Sequence, residues 1–369
     1  MESGSRPRKQ TRPVRAGNLD IGGGAPVSLQ SMTSVPLEDV DATVDQIQRL
    51  HEAGADLVRV AVRNLDAVQY LREVCRSVTV PLSADIHFNH AIAIESIKAG
   101  VRKIRINPGN IGDAEKVREV VRCAKDYGVP IRIGVNGGSV DKKKYPEVTP
   151  RSLVDSAMEH VHILEDNGFS DIVVSIKSSD IFQTIEANKI FSATRDYPVH
   201  IGLTEAGYGM ACVVQSSIVI GHLLLVGIGD TVRVSMTGDP VQEVIAGRRI
   251  LESLGEKYNP LKIISCPTCG RTDPELDLYE LAGAVEAELT QRFGPVLGET
   301  GRTLTVAIMG CEVNGPGEAS HADAGLAGGR AGAMLLFAQG QKIKKVHRDN
   351  ALSELSDEVE RIIRTWEKR

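Results

Sequence analysis

The sequence has few aromatic residues and few cysteines. Aromatic side chains make up 4% of the 369 residues, although apolar residues make up 42%. The apolar residues are therefore mainly small and aliphatic, which is typical of helices packed on a parallel sheet. A chain of this length is expected to form about two domains.

Long uninterrupted apolar runs are also missing. The longest apolar stretch, MACVVQSSIVIGHLLLVGIG, is broken by Gln215 and His222, so it predicts a buried helix and no membrane span. The basic N-terminus is not followed by the apolar segment of a secretory signal. A net charge of −5 gives no basic footprint for nucleic acid. We therefore expect a cytoplasmic protein that binds neither membranes nor nucleic acids.

Short apolar runs alternate with helical patterns along the first two-thirds of the chain. The predicted strands are VSLQSM, LVRVAV, PLSADI, KIRINP, PIRIGV, DIVVSI, VHIGLT and TVRVSM. Repeated strand–helix units within about 250 residues predict an α/β fold in which residues 1–255 form a (β/α)8 TIM barrel. An open doubly wound sheet is the alternative, and the missing G-x-G-x-x-G after the first strand weakens it.

One face of several predicted strands is polar. Side chains alternate between the two faces of a strand, so Ile104 and Ile106 of KIRINP oppose Arg105. The apolar face suits the outer helices, which leaves the polar face for the lumen. Unpaired arginine is costly to bury, and guanidinium groups match phosphate oxygens, so converging arginines predict a phosphate or diphosphate site. Pairing of some arginines with Asp85 is the alternative. The polar face includes Arg59, Lys103, Arg105, Asn107, Arg132, Asn136, Ser175, Lys177, Arg233 and Ser235.

The C-terminal ends of these strands complete the predicted site, because barrel active sites lie on that side. NPGNIG and NGGS are glycine-rich loops whose backbone N–H groups can approach a phosphate. Glu205 follows the strand VHIGLT. A carboxyl group beside bound phosphates resists ionisation, which suits Glu205 to proton donation. A glutamate placed for the dipole of a helix N-terminus is the alternative.

Residues 256–369 predict a second, smaller α/β domain, ordered strand, helix, strand, strand, helix. Within it, GLAGGRAGAML is expected to be a glycine-rich turn before a strand, with a loop beside the metal site as the alternative. The C-x-x-C of Cys266 and Cys269 closes one predicted strand and Cys311 closes another. The three thiols can therefore meet at one edge of a sheet.

These cysteines suit an iron–sulfur cluster, zinc or disulfide exchange. Zinc usually takes a fourth cysteine or histidine, and the nearest histidine in sequence is His321. A redox pair would need neither Cys311 nor the glycine loop after it. Three cysteines with one other ligand favour a [4Fe–4S] cluster, and CEVNGPGE offers Glu318 as that ligand. Spacing leaves all three uses open.

The motifs SCPTCGR and MGCEVNGPGEA resemble the cluster-binding pair of the 4-hydroxy-3-methylbut-2-enyl diphosphate synthase family, which acts in the non-mevalonate route to isoprenoids. The resemblance continues through QSMT, RVAV, DIHF, KIRINPGNIG, RIGVNGGS, GLTEAG and VRVSMTGDP, and so covers nearly the whole chain. It implies a TIM barrel joined to a C-terminal iron–sulfur domain in a head-to-tail homodimer. In that arrangement each cluster caps the barrel of the other subunit.

The resemblance also implies a reaction and the residues for it. The substrate would be 2-C-methyl-D-erythritol 2,4-cyclodiphosphate, opened reductively with loss of water, and flavodoxin or ferredoxin would supply the electrons. The matching positions are Cys266, Cys269, Cys311 and Glu318 for a [4Fe–4S] cluster, Arg59, Arg105, Arg132, Asn136, Lys177 and Ser235 for the diphosphate, and Glu205 near the reacting carbons. Because a carboxylate is a more replaceable iron ligand than a thiolate, Glu318 is expected to act in catalysis too.

Two other functions are weighed against this one. A phosphate-binding barrel enzyme of the pteroate-synthase type, with a structural zinc module, would explain the arginines and the C-x-x-C but not Glu318. A non-enzymatic carrier of iron–sulfur clusters would leave the arginine-lined barrel without a use. Metal content distinguishes the first alternative, and anion binding by the barrel distinguishes the second.

Overall fold

The computed structural model describes residues 7–311, 317, 319–329 and 332–366. Glu318, predicted as a cluster ligand and as a catalytic residue, lies outside these described residues. The chain divides into two compact units, Met1–Lys257 and Tyr258–Arg369. Each unit has its own sheet and its own hydrophobic core.

The first unit is a parallel barrel, which confirms the predicted TIM-barrel fold. Its sheet has 8 strands, and a parallel bridge between Val174 and Val199 brings the two outer strands together. The barrel strands are β3 (Ser28–Met32), β4 (Leu57–Ala61), β5 (Leu82–Asp85), β6 (Lys103–Ile106), β7 (Ile131–Asn136), β8 (Ile172–Lys177), β9 (His200–Ile201) and β10 (Thr231–Val232).

A helix follows each barrel strand. The helices are α1 (Val40–Glu52), α2 (Ala67–Ser77), α3 (His90–Ala99), α4 (Ala114–Tyr127), α5 (Pro150–Asp166), α6 (Ile181–Thr194), α7 (Gly209–Leu225) and α8 (Pro240–Ser253). Local sequence sets their ends: the Asp113 side chain accepts a hydrogen bond from the Lys116 N–H at the start of α4, and Gly128 ends α4 in the left-handed conformation. The apolar faces of helices and strands form one continuous core.

A short hairpin that the sequence analysis did not predict closes the N-terminal end of the barrel. Strands β1 (Val14–Ala16) and β2 (Leu19–Ile21) pair in antiparallel fashion. Val14 and Ile21 pack against Val173, which lies on the lumen face of β8. The hairpin therefore closes the lumen at the N-terminal end of the strands, and the polar side chains of the lumen face the C-terminal end.

Helix α7 contains the apolar stretch that predicted a buried helix, and it is buried on one face only. Cys212 and Leu223 are inside, but Met210 is 76% exposed and Leu225 59% exposed. In the part of the chain that the structure describes, no helix is both long enough and apolar enough to cross a membrane.

The second unit is a 5-stranded sheet with helices on one face, in agreement with the predicted α/β class. Its strands pair in chain order, parallel from β11 to β13 and antiparallel from β13 to β15. The elements are β11 (Leu261–Ser265), α9 (Leu278–Thr300), β12 (Leu304–Met309), β13 (Ala324–Gly328), β14 (Ala333–Ala338), β15 (Gln341–His347) and α10 (Arg348–Trp366).

One expectation for this unit is wrong in part and a second is wrong. The segment GLAGGRAGAML does lead into a strand, β14, but residues 325–328 already belong to strand β13. A side chain at Gly325 would collide with the Phe337 ring and lie 2.6 Å from the Ala307 carbonyl oxygen. Glycine is required there for close packing and not for a turn. The fourth predicted element of this domain, expected as a single strand, is a hairpin of β14 and β15 that turns at Gln339 and Gly340, both of which have positive φ.

Candidate active site

The residues predicted to bind a diphosphate line one cavity of about 200 Å³ at the C-terminal end of the barrel. The register of the strands brings these residues together, because Arg105 pairs with Arg132 across β6 and β7, and Asn136 pairs with Lys177 across β7 and β8. The lining residues are Arg59, Asp85, His87, Arg105, Arg132, Gly134, Val135, Asn136, Ser175, Lys177, His200, Leu203, Thr204, Arg233 and Ser235.

Asp85 pairs with part of this cationic set. Its carboxylate lies 3.2 Å from Arg105 Nη1 and 3.7 Å from Arg59 Nε. Burial alone would raise the pKa of Asp85, but the charges of Arg59, Arg105 and Arg132 outweigh burial and lower it. The alternative weighed for the sequence, internal pairing with Asp85, thus holds for two of the arginines.

Glu243 of α8 is a buried group of the site that the sequence analysis missed. Its carboxylate accepts hydrogen bonds of 3.2–3.3 Å from the Arg233 guanidinium and one of 2.9 Å from the Met236 N–H. Glu243 thereby fixes both a lumen cation and the loop after β10. The only signal in the sequence was a glutamate in the first turn of a helix, which the helix dipole also favours.

Other cations of the lumen have no carboxylate at contact distance among the described residues. Arg132 is 3% exposed and its Nε is buried without a hydrogen-bond partner there. Burial and then the neighbouring guanidinium groups lower the pKa of Arg132 well below its usual value, and Lys177 is shifted in the same direction for the same reasons. Burial, partly offset by Asp85, lowers the pKa of Arg59 to about 10.

Lys103 lies on the same lumen face and is fully buried. Its Nζ donates to Gln30 Oε1 at 3.0 Å, and burial followed by the charges of Arg132 and Arg59 lowers its pKa well below the usual value. Removing cationic side chains from water is unfavourable unless an opposite charge compensates for it. Several such groups buried together therefore indicate a site for an anion.

Two glycines make room for these side chains. A Cβ on Gly134 would lie 2.6 Å from Arg105 Nε, and a Cβ on Gly202 would lie 2.9 Å from Lys177 Nζ. Gly134, the first glycine of RIGVNGGS, and Gly202, the first glycine of GLTEAG, are therefore needed for the close approach of a cationic group to the backbone.

Glu205 stands at the rim of this site. Thr204 lines the cavity, whereas the Glu205 side chain is exposed just past β9. Its φ of 57° lies in the left-handed region that disfavours a non-glycine residue. Strain of this kind is found most often at functional sites, so Glu205 stays a candidate for a catalytic role.

The three predicted cluster cysteines are free thiols on two loops that touch. Cys266 follows β11 directly, and its Sγ accepts a hydrogen bond of 3.1 Å from the N–H of Gly310, the residue before Cys311. A Cβ on Gly310 would lie 2.5 Å from Thr272 Oγ1, so the loop that carries Cys269 packs against it. The backbone N–H of Arg271, and then its side chain, lower the pKa of Cys269.

These features fit the donor set of an iron–sulfur cluster, because thiolates are its ligands and N–H groups commonly stabilise them. Within the described ranges, no three side chains of histidine, cysteine, aspartate or glutamate are grouped closely enough to hold a metal ion.

Comparison with known proteins now decides the family. The GcpE TIM-barrel domain matches residues 11–248, and the GcpE protein C-terminal domain matches residues 262–361. The chain belongs to the GcpE family. This confirms the family expected from the motifs, because its curated relatives carry the corresponding name.

GcpE relatives match over almost the entire chain. A protein from Caldanaerobacter subterraneus subsp. tengcongensis is 48% identical over 361 residues, which are 97% of this chain and 98% of that protein. One from Clostridium perfringens is 48% identical over 358 residues, 96% of this chain and 99% of that protein. Both are named 4-hydroxy-3-methylbut-2-en-1-yl diphosphate synthase (flavodoxin).

Solved structures resemble the barrel only distantly. A Yersinia pestis dihydropteroate synthase with a sulfonamide drug aligns with a TM-score of 0.49 and 13% identity, over 67% of this chain and 100% of that one. A likeness at this level says nothing about the reaction.

Proposed function

We propose that this GcpE protein converts 2-C-methyl-D-erythritol 2,4-cyclodiphosphate into (E)-4-hydroxy-3-methylbut-2-enyl diphosphate. The observation that carries the proposal is the lumen itself: cations outnumber carboxylates there, in a barrel whose relatives are named as synthases of that product. Bidentate guanidinium groups orient phosphate oxygens, so Arg59, Arg105 and Arg132 would hold the diphosphate in the lumen. Asn136, Lys177 and Ser235 would meet it at the rim.

The charge of the lumen suits the chemistry. Two electrons enter, the C–O bond to the diphosphate and the neighbouring C–OH bond break, and a C=C bond forms between the two carbons. One proton turns the departing hydroxide into water, while the freed diphosphate oxygen keeps its negative charge. The excess of cations stabilises that developing charge from positions that need no rearrangement.

Glu205 is the proposed proton donor for the departing oxygen. It lies at the rim next to Thr204, which lines the cavity, and the strained backbone fixes where its side chain starts. Glu205→Gln keeps the size of the side chain but cannot donate an acidic proton. We expect a fall in kcat of about a hundredfold with little change in KM. A near-normal kcat would remove Glu205 from this role.

Residues 256–369 are proposed as the domain that carries a [4Fe–4S] cluster, and residues 1–255 as the substrate domain. Cys266, Cys269 and Cys311 would bind the cluster as thiolates, with Glu318 as the fourth ligand. When bound there, the cluster would pass two electrons to the substrate, one at a time, from the external electron donor. The touching cysteine loops and the lowered pKa of Cys269 support thiolate ligation.

Glu318→Cys tests the fourth ligand. A cysteine there should keep iron in the protein, because a fourth thiolate is a good ligand, but it should abolish turnover if the carboxylate must yield its place. Unchanged activity would contradict the catalytic part of the proposal. Cys75→Ser, a change outside both cysteine loops, is the control for nonspecific loss of a thiol.

The electron donor is proposed to be flavodoxin, which the names of the relatives include, with ferredoxin as the alternative. A head-to-tail homodimer is proposed on the resemblance, and the apolar face left exposed on α7 supports contact with another protein surface. Sedimentation of the purified protein would test the dimer. A cytoplasmic location stays a prediction.

Iron and acid-labile sulfide, measured on anaerobically purified protein, test the proposed function together with an assay of the cyclic diphosphate. We expect about four of each per chain, as a [4Fe–4S] cluster requires, and product formation with reduced flavodoxin. One zinc per chain with no labile sulfide would favour a structural metal module and contradict the reductive reaction. A cluster without anion binding by the barrel would favour a carrier of clusters.

A further inference from the structure

His200, the first residue of β9, is fully buried and lines the same cavity as Arg132 and Lys177. It pairs in register with Thr231 of β10, two residues before Arg233. The diphosphate-binding positions implied by the motifs do not include it. A histidine between valine and isoleucine on a strand is by sequence alone an ordinary core residue.

Among the described residues, only one nitrogen of the His200 ring has a hydrogen-bond partner. Nδ1 lies 3.4 Å from the Thr231 hydroxyl oxygen. Nε2 is buried and has no hydrogen-bond partner in the part of the chain that the structure describes. Burying a polar atom in this way costs about 1–3 kcal/mol, so a partner from outside the chain is expected.

The surroundings decide what the ring can offer. Burial, and then the charges of Lys177 and Arg132, keep the pKa of His200 well below its usual value, so the ring is neutral. A neutral ring adds no repulsion to a lumen already crowded with cations. When the Thr231 hydroxyl donates to Nδ1, the ring proton lies on Nε2.

We propose that His200 is a further substrate-binding residue: its Nε2–H donates a hydrogen bond to an oxygen of the bound diphosphate, and Thr231 holds the ring in the required tautomer. This rests on the proposed function, because the ligand is the cyclic diphosphate. The cationic side chains neutralise the charge of the ligand, while a hydrogen-bond donor fixed on a buried strand sets the orientation of the diphosphate. The partner that Nε2 lacks is thus an oxygen of the substrate.

Calorimetric titration of the full-length, anaerobically purified protein with the cyclic diphosphate tests this, without reductant so that no turnover occurs. His200→Phe keeps an aromatic ring but has no hydrogen-bond donor. We expect about tenfold weaker binding, because one hydrogen bond is lost. His200→Gln retains an N–H donor and should stay within about threefold of wild type. Thr231→Val should weaken binding about threefold, since the tautomer is no longer fixed. In turnover assays KM should rise by the same factors, with kcat nearly unchanged.

His162→Phe is the matched control, because His162 is an exposed histidine of α5, and its affinity should equal that of wild type. Wild-type affinity in His200→Phe would overturn the proposal and assign Nε2 to an internal water. Should that variant not fold, unchanged affinity in Thr231→Val would overturn it instead. If wild type binds no cyclic diphosphate, the proposed function fails. The same comparison with inorganic pyrophosphate then decides whether His200 contacts a diphosphate at all.

Discussion

Asp85 and Arg105 form an ion pair inside the barrel, with Oδ1 of the carboxylate 3.2 Å from Nη1 of the guanidinium. Both side chains are almost fully buried, and they occupy paired positions on β5 and β6. The second oxygen of Asp85 lies 3.7 Å from Arg59 Nε. Asp85 thus relieves repulsion between two arginines without neutralising the lumen, which leaves positive charge for a ligand.

Asp85→Asn should destabilise the ligand-free protein by about 3 kcal/mol at neutral pH, because it leaves buried guanidinium groups unpaired. The folded-state pKa of Asp85 is lowered, so its stabilising contribution is present above the unfolded pKa of about 3.9 and is lost as the pH falls through the folded value. The difference between variant and wild type should therefore shrink below about pH 4. Urea unfolding followed by circular dichroism between pH 3 and pH 7 measures this difference in unfolding free energy.

The control for this variant is Asp45→Asn. Asp45 lies 3.0 Å from Arg49 on the surface of α1, and both side chains are at least half exposed. An exposed pair of this kind contributes little, so the unfolding free energy should change by less than about 0.5 kcal/mol. Equal effects of the two substitutions would contradict the special cost of unpaired charge in the lumen.

Arg132→Met should separate stability from binding. Arg132 is buried among other cations, so replacing it with an apolar side chain of similar length should leave the ligand-free protein as stable as wild type or more stable. The affinity for the cyclic diphosphate should fall by about a hundredfold, because a buried charge-assisted contact is lost. Thermal unfolding measures the stability, and titration calorimetry measures the affinity. Arg118→Met on the exposed face of α4 should change neither, and lower stability of Arg132→Met would contradict the argument.

The alternation of strand side chains was enough to predict which residues share the lumen. Arg105 and Arg132 lie on strands whose other face is purely apolar, so only one orientation buries the isoleucines. Glu243 could not be found in this way, because it comes from a helix and reaches the lumen through Arg233. His200 was hidden for another reason: the alternation of VHIGLT places it on the same face as Thr204, but a lone histidine between valine and isoleucine does not distinguish a ligand from a core residue.

The parts of the fold that were missed depend on turns and close packing. The hairpin of β1 and β2 turns at Gly17 and Asn18, and no strand was predicted before VSLQSM. In the second unit, Gly325 is a strand residue because of a phenylalanine twelve positions later in the chain, which no local pattern reveals.

Glu243→Gln should weaken substrate binding without unfolding the protein. The amide keeps the shape of the side chain but not the charge that holds Arg233, so the guanidinium is no longer fixed over the cavity. We expect KM to rise about tenfold, with a smaller change in kcat. Glu252→Gln is matched to it, since Glu252 is a buried glutamate of the same helix that pairs with Arg248 and Arg249 instead. A similar rise in KM for both variants would show that the effect is structural.

Gly202→Ala should disturb both the backbone and the site. Gly202 has a φ of 150°, and an added Cβ would overlap the Arg233 carbonyl oxygen and lie 2.9 Å from Lys177 Nζ. We expect a loss of about 2–4 kcal/mol in unfolding free energy, and pyrophosphate binding at least tenfold weaker because Lys177 is displaced. Gly221→Ala in α7, where a Cβ meets nothing within 4 Å, should be neutral or stabilising by about 0.5–1 kcal/mol. If Gly202→Ala kept wild-type stability and binding, the close approach of Lys177 to this strand would be of no consequence, and the geometry proposed for the diphosphate site would have to be revised.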